Sequence, residues 1–490
     1  MIHLNRFISL PALRRTTLLL GALYGQAFAS GFQLANEYST TEVSLAGAGG
    51  AAYAEDATTN FSNPAGLVNL KNPEFVLGAT VISANADFSG SACGGIEGGF
   101  ATSPFGIIPI NACQLTRTSE NGGTNNIVPE FHYAMPFNDR WYGGISLTAP
   151  FGLATYYDSD TPLRYQATNS KIQTININPN IAFKFSEQFS VGAGIDAQQM
   201  SATLNSHSNL MPNPTVIAQG KSPLIGPVTV TQQYSDSAIR NNADDWGWGW
   251  DIGGLYQFSP GSRLGLSYRS AVQYDLSGTS KYTGGEGART TTTVLGSNTT
   301  TGSYPTFKTD TSAKVKVPAM TTLSFYQELT AQWALMTSLY YTQWNSVQNL
   351  TLKDVAFINT RSSQLIQPNQ AVDITYPENF RNTWRYALGS EYKFNNELTF
   401  RIGGAFDQSP VNNTDRTIRL PDSNRWEGAL GAGYRINQYL KLDAGYMHIW
   451  FQDAKINQPS DPSVPHLSAS VGSVDASANL YSLQATVDIV

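Results

Sequence analysis

The chain has 490 residues, with 43 Gly, 24 Tyr, 23 Phe and 9 Trp but only 13% charged residues, against about 25% in ordinary soluble domains. Its formal net charge of −6 gives no basic excess, which argues against a nucleic-acid partner. No linker, charge block or low-complexity tract divides it, so the length does not break into the two or three soluble domains it could hold.

Residues 1–29 read as a secretory signal peptide. Arg6, Arg14 and Arg15 form a charged lead, 18-LLLGAL-23 a short apolar core, and 27-AFA-29 a small-x-small cleavage site. The apolar run is too short for a membrane-anchoring helix, which needs about 18 to 20 residues. The mature chain is therefore expected to begin at Ser30.

Residues 30–73 lack any two-residue period. They carry the small-residue run 46-AGAGGAAYAEDA-57 and end in 63-NPA-65. Asn63 suits a helix N-cap, and Pro64 the first helical position, where its missing N–H costs nothing. Asn63-Pro64-Ala65 is thus expected to start a short helical turn. From 74 onward the pattern changes to alternation. In 397-ELTFRIGGAF-406, Leu398, Phe400, Ile402 and Phe406 share one face, against Glu397, Thr399 and Arg401. The segment 384-WRYALGSEYKF-394 repeats this with Tyr386, Leu388, Tyr392 and Phe394. The alternation predicts strands over 74–87, 127–137, 141–150, 172–185, 188–205, 246–257, 262–275, 313–328, 331–345, 381–394, 397–408, 424–437, 440–452 and 479–490.

Links after even-numbered strands are a few residues, such as 138-NDR-140 and 395-NN-396. Those after odd-numbered strands are long: 88–126, 151–171, 206–245, 276–312, 346–380, 409–423 and 453–478. Short turns at one end, long loops at the other, charges on the polar face and aromatics near strand ends describe an outer-membrane barrel. The bilayer requires closure, because a strand edge in hydrocarbon leaves N–H and C=O groups unpaired. The fold class is therefore all-β: a 14-stranded antiparallel transmembrane β-barrel over 74–490 in the bacterial outer membrane. A bore of that width is not filled by its own side chains, so 30–73 is expected to plug it as a small helical hatch.

Several residues raise narrower expectations. Cys93 and Cys113 share one Gly-rich segment, and in an oxidising compartment a disulfide is expected, free thiols being the alternative. With no His beside them a metal site is not expected, and nothing implies a cofactor. In 145-ISLTAPFGLAT-155, Pro150 removes a ladder N–H and Gly152 marks a bend. A bulge is expected at Pro179. Ser–His catalysis needs a Gly-x-Ser-x-Gly elbow or an equivalent base pairing; none is present, nor is His-Glu-x-x-His, so an enzyme is not expected.

The opening 30-SGFQLANEYSTTEVSLAGAGGAAYAEDATTNFSNPAGL-67, with Gly31, Phe32, Leu34, Asn63, Pro64 and Ala65, resembles the amino-terminal hatch of the long-chain fatty acid transporter family (FadL, OmpP1, TodX). The blocks 150–185 and 416–448 are similar to the family's strand-and-loop blocks. The resemblance implies a monomeric fourteen-stranded barrel set in outer-membrane lipid and lipopolysaccharide, passing long-chain fatty acids or other hydrophobic small molecules inward. It also implies a kinked third strand with a side opening, here at Pro150, Phe151 and Gly152; the alternative is that Pro150 simply ends the strand at the loop. Capture would fall to loops 206–245 and 276–312, the first with Leu210, Met211, Val216, Ile217, Leu224, Ile225 and Val228; the Thr/Gly/Ser-rich second departs from the family. Arg164 and Lys171 are the candidates for a ligand carboxylate, ordinary lumen salt bridging being the alternative. The alternatives are an aromatic or hydrocarbon channel and a general porin. The C-terminus, 481-YSLQATVDIV-490, lacks the aromatic residue that ends most such barrels.

Overall fold

Alternating residues build the wall. The computed structural model describes residues 31–33, 37–103, 106–208, 215–222, 226–293, 296–303, 305–357, 370–458 and 469–489. The signal peptide, Leu34, Leu210, Met211, Leu224, Ile225 and the terminal Val490 lie outside the described residues. Fourteen strands close into an antiparallel barrel. The first seven are β1 (Glu74–Ser103), β2 (Asn125–Pro136), β3 (Trp141–Thr148), β4 (Asn169–Lys184), β5 (Phe189–Ser208), β6 (Ser237–Ser259) and β7 (Ser262–Arg269). The rest are β8 (Met320–Glu328), β9 (Trp333–Thr342), β10 (Thr383–Lys393), β11 (Leu398–Asp407), β12 (Arg425–Arg435), β13 (Leu440–Phe451) and β14 (Ser470–Asp488). Each pairs with the next, and β14 closes onto β1 from Glu74↔Asp488 to Ala92↔Ser470.

The two faces follow the pleat. Phe400, Ile402, Leu388, Leu430 and Leu483 are exposed on the lipid side, while Arg401, Glu391 and Asp443 are buried facing the bore. The tight turns are held by side chains that mimic backbone. Asn138 Oδ1 accepts the N–H groups of Arg140 and Trp141 at 2.9 and 3.0 Å, and Asn395 Oδ1 those of Glu397 and Leu398 at 2.8 and 2.7 Å.

The long links are more ordered than their composition suggests. The outer end of β1 folds back onto Gly106–Asn121, from Asp87↔Asn121 to Ser103↔Gly106. Thr215–Ser222 and Gly226–Tyr234 join Glu286–Thr293 and Gly296–Ser303 in a separate four-stranded sheet. Beyond the bilayer both strand faces meet water, so the ladder continues without the apolar alternation that marks a strand in sequence. Pro179 also differs from expectation. The β4–β5 ladder skips Asn178 and Pro179 but resumes in the same register, Ile177↔Ala197 then Asn180↔Gly194. The missing N–H interrupts pairing without inserting a residue, so there is no bulge. Cys93 is disulfide-bonded, and the sequence holds one other cysteine, Cys113.

Candidate functional site

Residues 37–73 lie inside the bore, nearly all of them buried. They form α1 (Thr40–Ser44), capped by Ser39 Oγ, then α2 (Thr59–Ser62) and a 3-10 turn, Pro64–Asn69. Asn63 caps that turn by accepting the Ala65 N–H at 3.1 Å, with Pro64 in its first position. Short helices leave many backbone groups without internal partners, and wall side chains supply them. Ser338 and Ser324 hydroxyls accept the Gly49 and Ala51 N–H groups at 2.8 and 3.0 Å. Arg385 donates to Ala46 O at 2.8 Å, Arg269 to Phe61 O at 2.8 Å, and Ser190 to Ala65 O at 2.9 Å. His132 Nε2 lies 3.0 Å from Tyr38 O. Glu55 pairs with Arg401 at 3.0 Å and Lys441 at 3.1 Å.

Close approach explains the glycines on both sides. Gly49 sits at φ +92°, open to glycine but strained for other residues. In the wall, a Cβ at Gly403 would collide with Leu45 O, one at Gly265 with Ala51 O, and one at Gly192 would stand 2.5 Å from Pro64 C.

The third strand leaves the wall where Pro150 interrupts it. β3 pairs with β4 up to Thr148↔Asn176, and pairing resumes in the continuation Gly152–Tyr156 at Gly152↔Gln173. On its other side, the β2–β3 ladder ends at Phe131↔Leu147. Asn125–Glu130 then pair only with β1, from Ser83↔Asn125 to Gly78↔Glu130. The displaced stretch bonds to the hatch: Gln33 and Phe151 form a bridge, and the Gly152 N–H reaches Phe32 O at 2.7 Å. Among the described residues, then, the wall has no ladder between the outer part of β2 and Gly152–Tyr156.

Behind this break lies a cavity of about 320 Å³. Its lining is mostly apolar: Phe32 from the hatch, Leu153, Ile172, Leu204, Val315, Val347, Leu350, Tyr376, Phe380 and Leu420. Phe32 and Phe380 of the lining belong to a packed aromatic cluster. Phe32 meets Trp344 edge-on at 4.9 Å and Phe151 at 5.9 Å, and Trp344 meets Phe380 at 5.7 Å. The polar end holds Arg419 and Glu378. Arg419 Nη1 donates to Ser170 Oγ at 2.9 Å and Asn205 O at 3.3 Å, and its guanidinium stands 6.0 Å from the Tyr376 ring. Among the described residues no carboxylate lies within ion-pair distance of Arg419. Burial, reinforced by Asp415, pushes the Glu378 carboxyl up to about 8, so it is largely neutral at pH 7. The pocket thus sets the Arg419 guanidinium at one end of an apolar chamber, with the exposed Lys314 and Lys316 also on its lining.

The sequence-based candidates fall unevenly on this geometry. Phe32 lines the cavity, Phe151 packs against Phe32, and Pro150 and Gly152 lie at the break beside it. Gly31 is tied through its N–H to Asp422 Oδ2 at 2.9 Å. Arg164 lies outside the lining: it pairs with Asp236 at 2.7 Å and donates to Thr161 O at 2.6 Å. Lys171 is on the face of β4 opposite Ser170 and Ile172, which do line the pocket. Val228 is also absent from the lining, whereas Arg419 was missed. Its signal is faint: one Arg between Ile418 and Leu420, an apolar alternation inside a link too short and polar to read as wall.

Comparison with known proteins agrees with this architecture. The chain is 30% identical over 434 residues, 88% of its length and 90% of the relative's, to the long-chain fatty acid transport protein of Salmonella typhi. It is 28% identical to outer membrane protein P1 of Haemophilus influenzae, covering 96% of this chain and 97% of that one. Among solved structures it resembles a Pseudomonas aeruginosa FadL homologue, with a TM-score of 0.71 at 23% identity over 94% of this chain and 99% of that one. It also resembles the P. putida toluene transporter TodX, with a TM-score of 0.62 at 17% identity over 93% and 99%. With its profile matched over residues 20–489, the outer membrane protein transport protein family (OMPP1/FadL/TodX) is the one to which this outer-membrane barrel belongs.

Proposed function

We propose that this protein carries long-chain fatty acids inward across the outer membrane, on a mature chain that begins at Ser30 once residues 1–29 are removed. The observation that carries this reading is an apolar chamber with the Arg419 guanidinium at one end, no carboxylate among the described residues lying within ion-pair distance of it. An acyl chain left in water forgoes about 0.8 kcal/mol per CH₂, so a carrier needs an apolar enclosure. A carboxylate in that enclosure needs a positive hydrogen-bonding partner, which a guanidinium supplies best. The carboxylate would sit on Arg419 with the chain directed towards Phe32 and Phe151. Release would follow the break between β2 and Gly152–Tyr156 into the bilayer rather than through the plugged bore. The wall closes on itself through the β14–β1 ladder, which supports a monomer surrounded by outer-membrane lipid and lipopolysaccharide. The hatch supports a carrier over a porin.

Oleate uptake by cells lacking their own carrier and complemented with this chain tests the reading. Complementation with growth on oleate is the expected result; no gain over the empty strain would end it. The aromatic cluster of Phe32, Phe151, Trp344 and Phe380, two of whose rings line the chamber, favours one second reading, uptake of monoaromatic hydrocarbons, by analogy with the toluene transporters it resembles. Toluene uptake in the same strain, with oleate ignored, would select it.

A further inference from the structure

The wall is interrupted a second time, between β6 and β7. β6 pairs with β5 without a break, from Ser237↔Ser208 to Tyr256↔Phe189. On its other side it pairs with β7 up to Asp251↔Arg269, and with the continuation Val272–Thr283 only from Asp244↔Ser277 onward. Asp245–Trp250 have no ladder partner there. β8 breaks at the same level: Met320–Glu328 pairs with β7, while Phe307–Val317 pairs with the continuation, from Val272↔Val317 to Tyr282↔Phe307. Ser270 is the hinge on one side, exchanging bonds with the Trp250 backbone at 2.8 and 2.9 Å, and Pro318-Ala319 is the break on the other.

The outer half of this hairpin lies over the inner face of β6 rather than beside it. A Cβ on Gly247 would stand 2.5 Å from Val272 Cγ1 and 2.7 Å from Gln273 O, and one on Gly249 would stand 2.8 Å from Val272 Cγ2. The two hairpin faces differ. Val272, Tyr274, Leu276 and Val317 are buried, and the Tyr274 hydroxyl bonds Gln198 of β5. Gln273, Lys314 and Lys316, on the other face, line the cavity, as does Val315 on the Tyr274 face. Outside, Trp246, Trp248 and Trp250 are 48%, 70% and 51% exposed. A lipid-facing strand with an unpaired edge is costly unless protein covers it. The hairpin is that cover: it packs against Gly247 and Gly249 at the unpaired edge of β6 and contributes to the lining of the chamber.

From this geometry we infer that the β7–β8 hairpin closes a second side doorway, through which long apolar molecules already dissolved in the outer leaflet reach the chamber without crossing the extracellular loops. The inference rests on the transport reading. Opening needs only that Val272 and Tyr274 lift from Gly247, Gly249 and Gln198; the slit so formed is lined by glycine backbone and apolar side chains. The ladders at either end of the hairpin stay in place.

A reversible lock tests it. Gly249→Cys combined with Val272→Cys brings two Cβ atoms into disulfide range, about 3.5–4.5 Å. Uptake of a fluorescent long-chain fatty acid, delivered to cells from lipid vesicles, is measured with the lock oxidised and reduced. The unaltered chain is run under both conditions to report any contribution from the disulfide at Cys93. A fall of about fivefold or more on oxidation, restored by reductant, is expected. An oxidised lock, verified by mass, that takes up the probe as fast as its reduced form overturns the doorway. Uptake by the unaltered chain tests the transport reading separately, so the two failures are distinguishable.

Discussion

Arg401 of β11 and Glu55 of the hatch form an ion pair of 3.0 Å across the bore, and the same guanidinium holds Glu391 at 3.0 Å and Asp443 at 2.7 Å. One fully buried cation thus ties the plug to three strands of wall: its own, β10 and β13. Removing it leaves the buried Glu391 without its cation and Glu55 and Asp443 to share Lys441, and breaking a buried pair in this way typically costs about 3–5 kcal/mol. Arg401→Gln is expected to loosen the hatch and raise steady conductance in planar bilayers above the near-zero level of the unaltered chain. Conductance that stays at that level would show that the remaining hatch contacts suffice.

Arg419 should discriminate acids from hydrocarbons. A hydrogen bond to a charged group is worth about 1.5–3 kcal/mol, so Arg419→Gln is expected to weaken oleate binding about tenfold or more, with Arg419→Lys recovering part of the loss. Toluene binding should be unchanged. Equal weakening of both would mean that Arg419 shapes the pocket instead of holding a carboxylate.

Glu378 sets a pH dependence of definite sign. Burial holds its carboxyl up at about 8. Below that pH it is neutral and leaves Arg419 uncompensated; above it, the carboxylate competes for Arg419 and repels the ligand's own. Oleate affinity is therefore expected to hold from pH 6 to about 7.5 and to fall as pH rises through 8. Glu378→Gln should flatten that fall. Titration calorimetry across the range checks both.

Pro150 controls the first break in the wall. Pro150→Thr restores a ladder N–H and a residue suited to strands. It is expected to slow uptake several-fold while leaving equilibrium binding of oleate within about twofold, because the chamber is untouched. A parallel loss of binding would place Pro150 in the pocket's architecture rather than at its exit.

Much of this was legible before any coordinates. Lipid imposes a period of two on every strand that crosses it, and the fourteen expected strands correspond to the fourteen of the wall. Once outside the bilayer that constraint vanishes, so the outer half of β1, its partner Gly106–Asn121 and the threonine-rich extracellular sheet all read as loop. The site was half visible. Pro150 and Gly152 announce a break because their backbone chemistry is local, and Phe32 stands out within the motif that carries the family resemblance. Arg419 is defined by distant contacts, Ser170 and Asn205 among them, which no local pattern encodes. Arg164 was drawn in by nearness in sequence to the third strand, but Asp236, 72 residues away, claims it.

The glycines of the wall have a further consequence. Gly192, Gly265 and Gly403 are hollows shaped to backbone atoms of Pro64, Ala51 and Leu45, so the inner surface is a cast of one particular plug. A hatch borrowed from a relative would seat only if these hollows came with it, and a bulkier residue at any of them would be felt by the stopper before the stave. Plug and cylinder are therefore one interlocked part, and the small residues that record the fit are spread over strands hundreds of positions from the segment they receive.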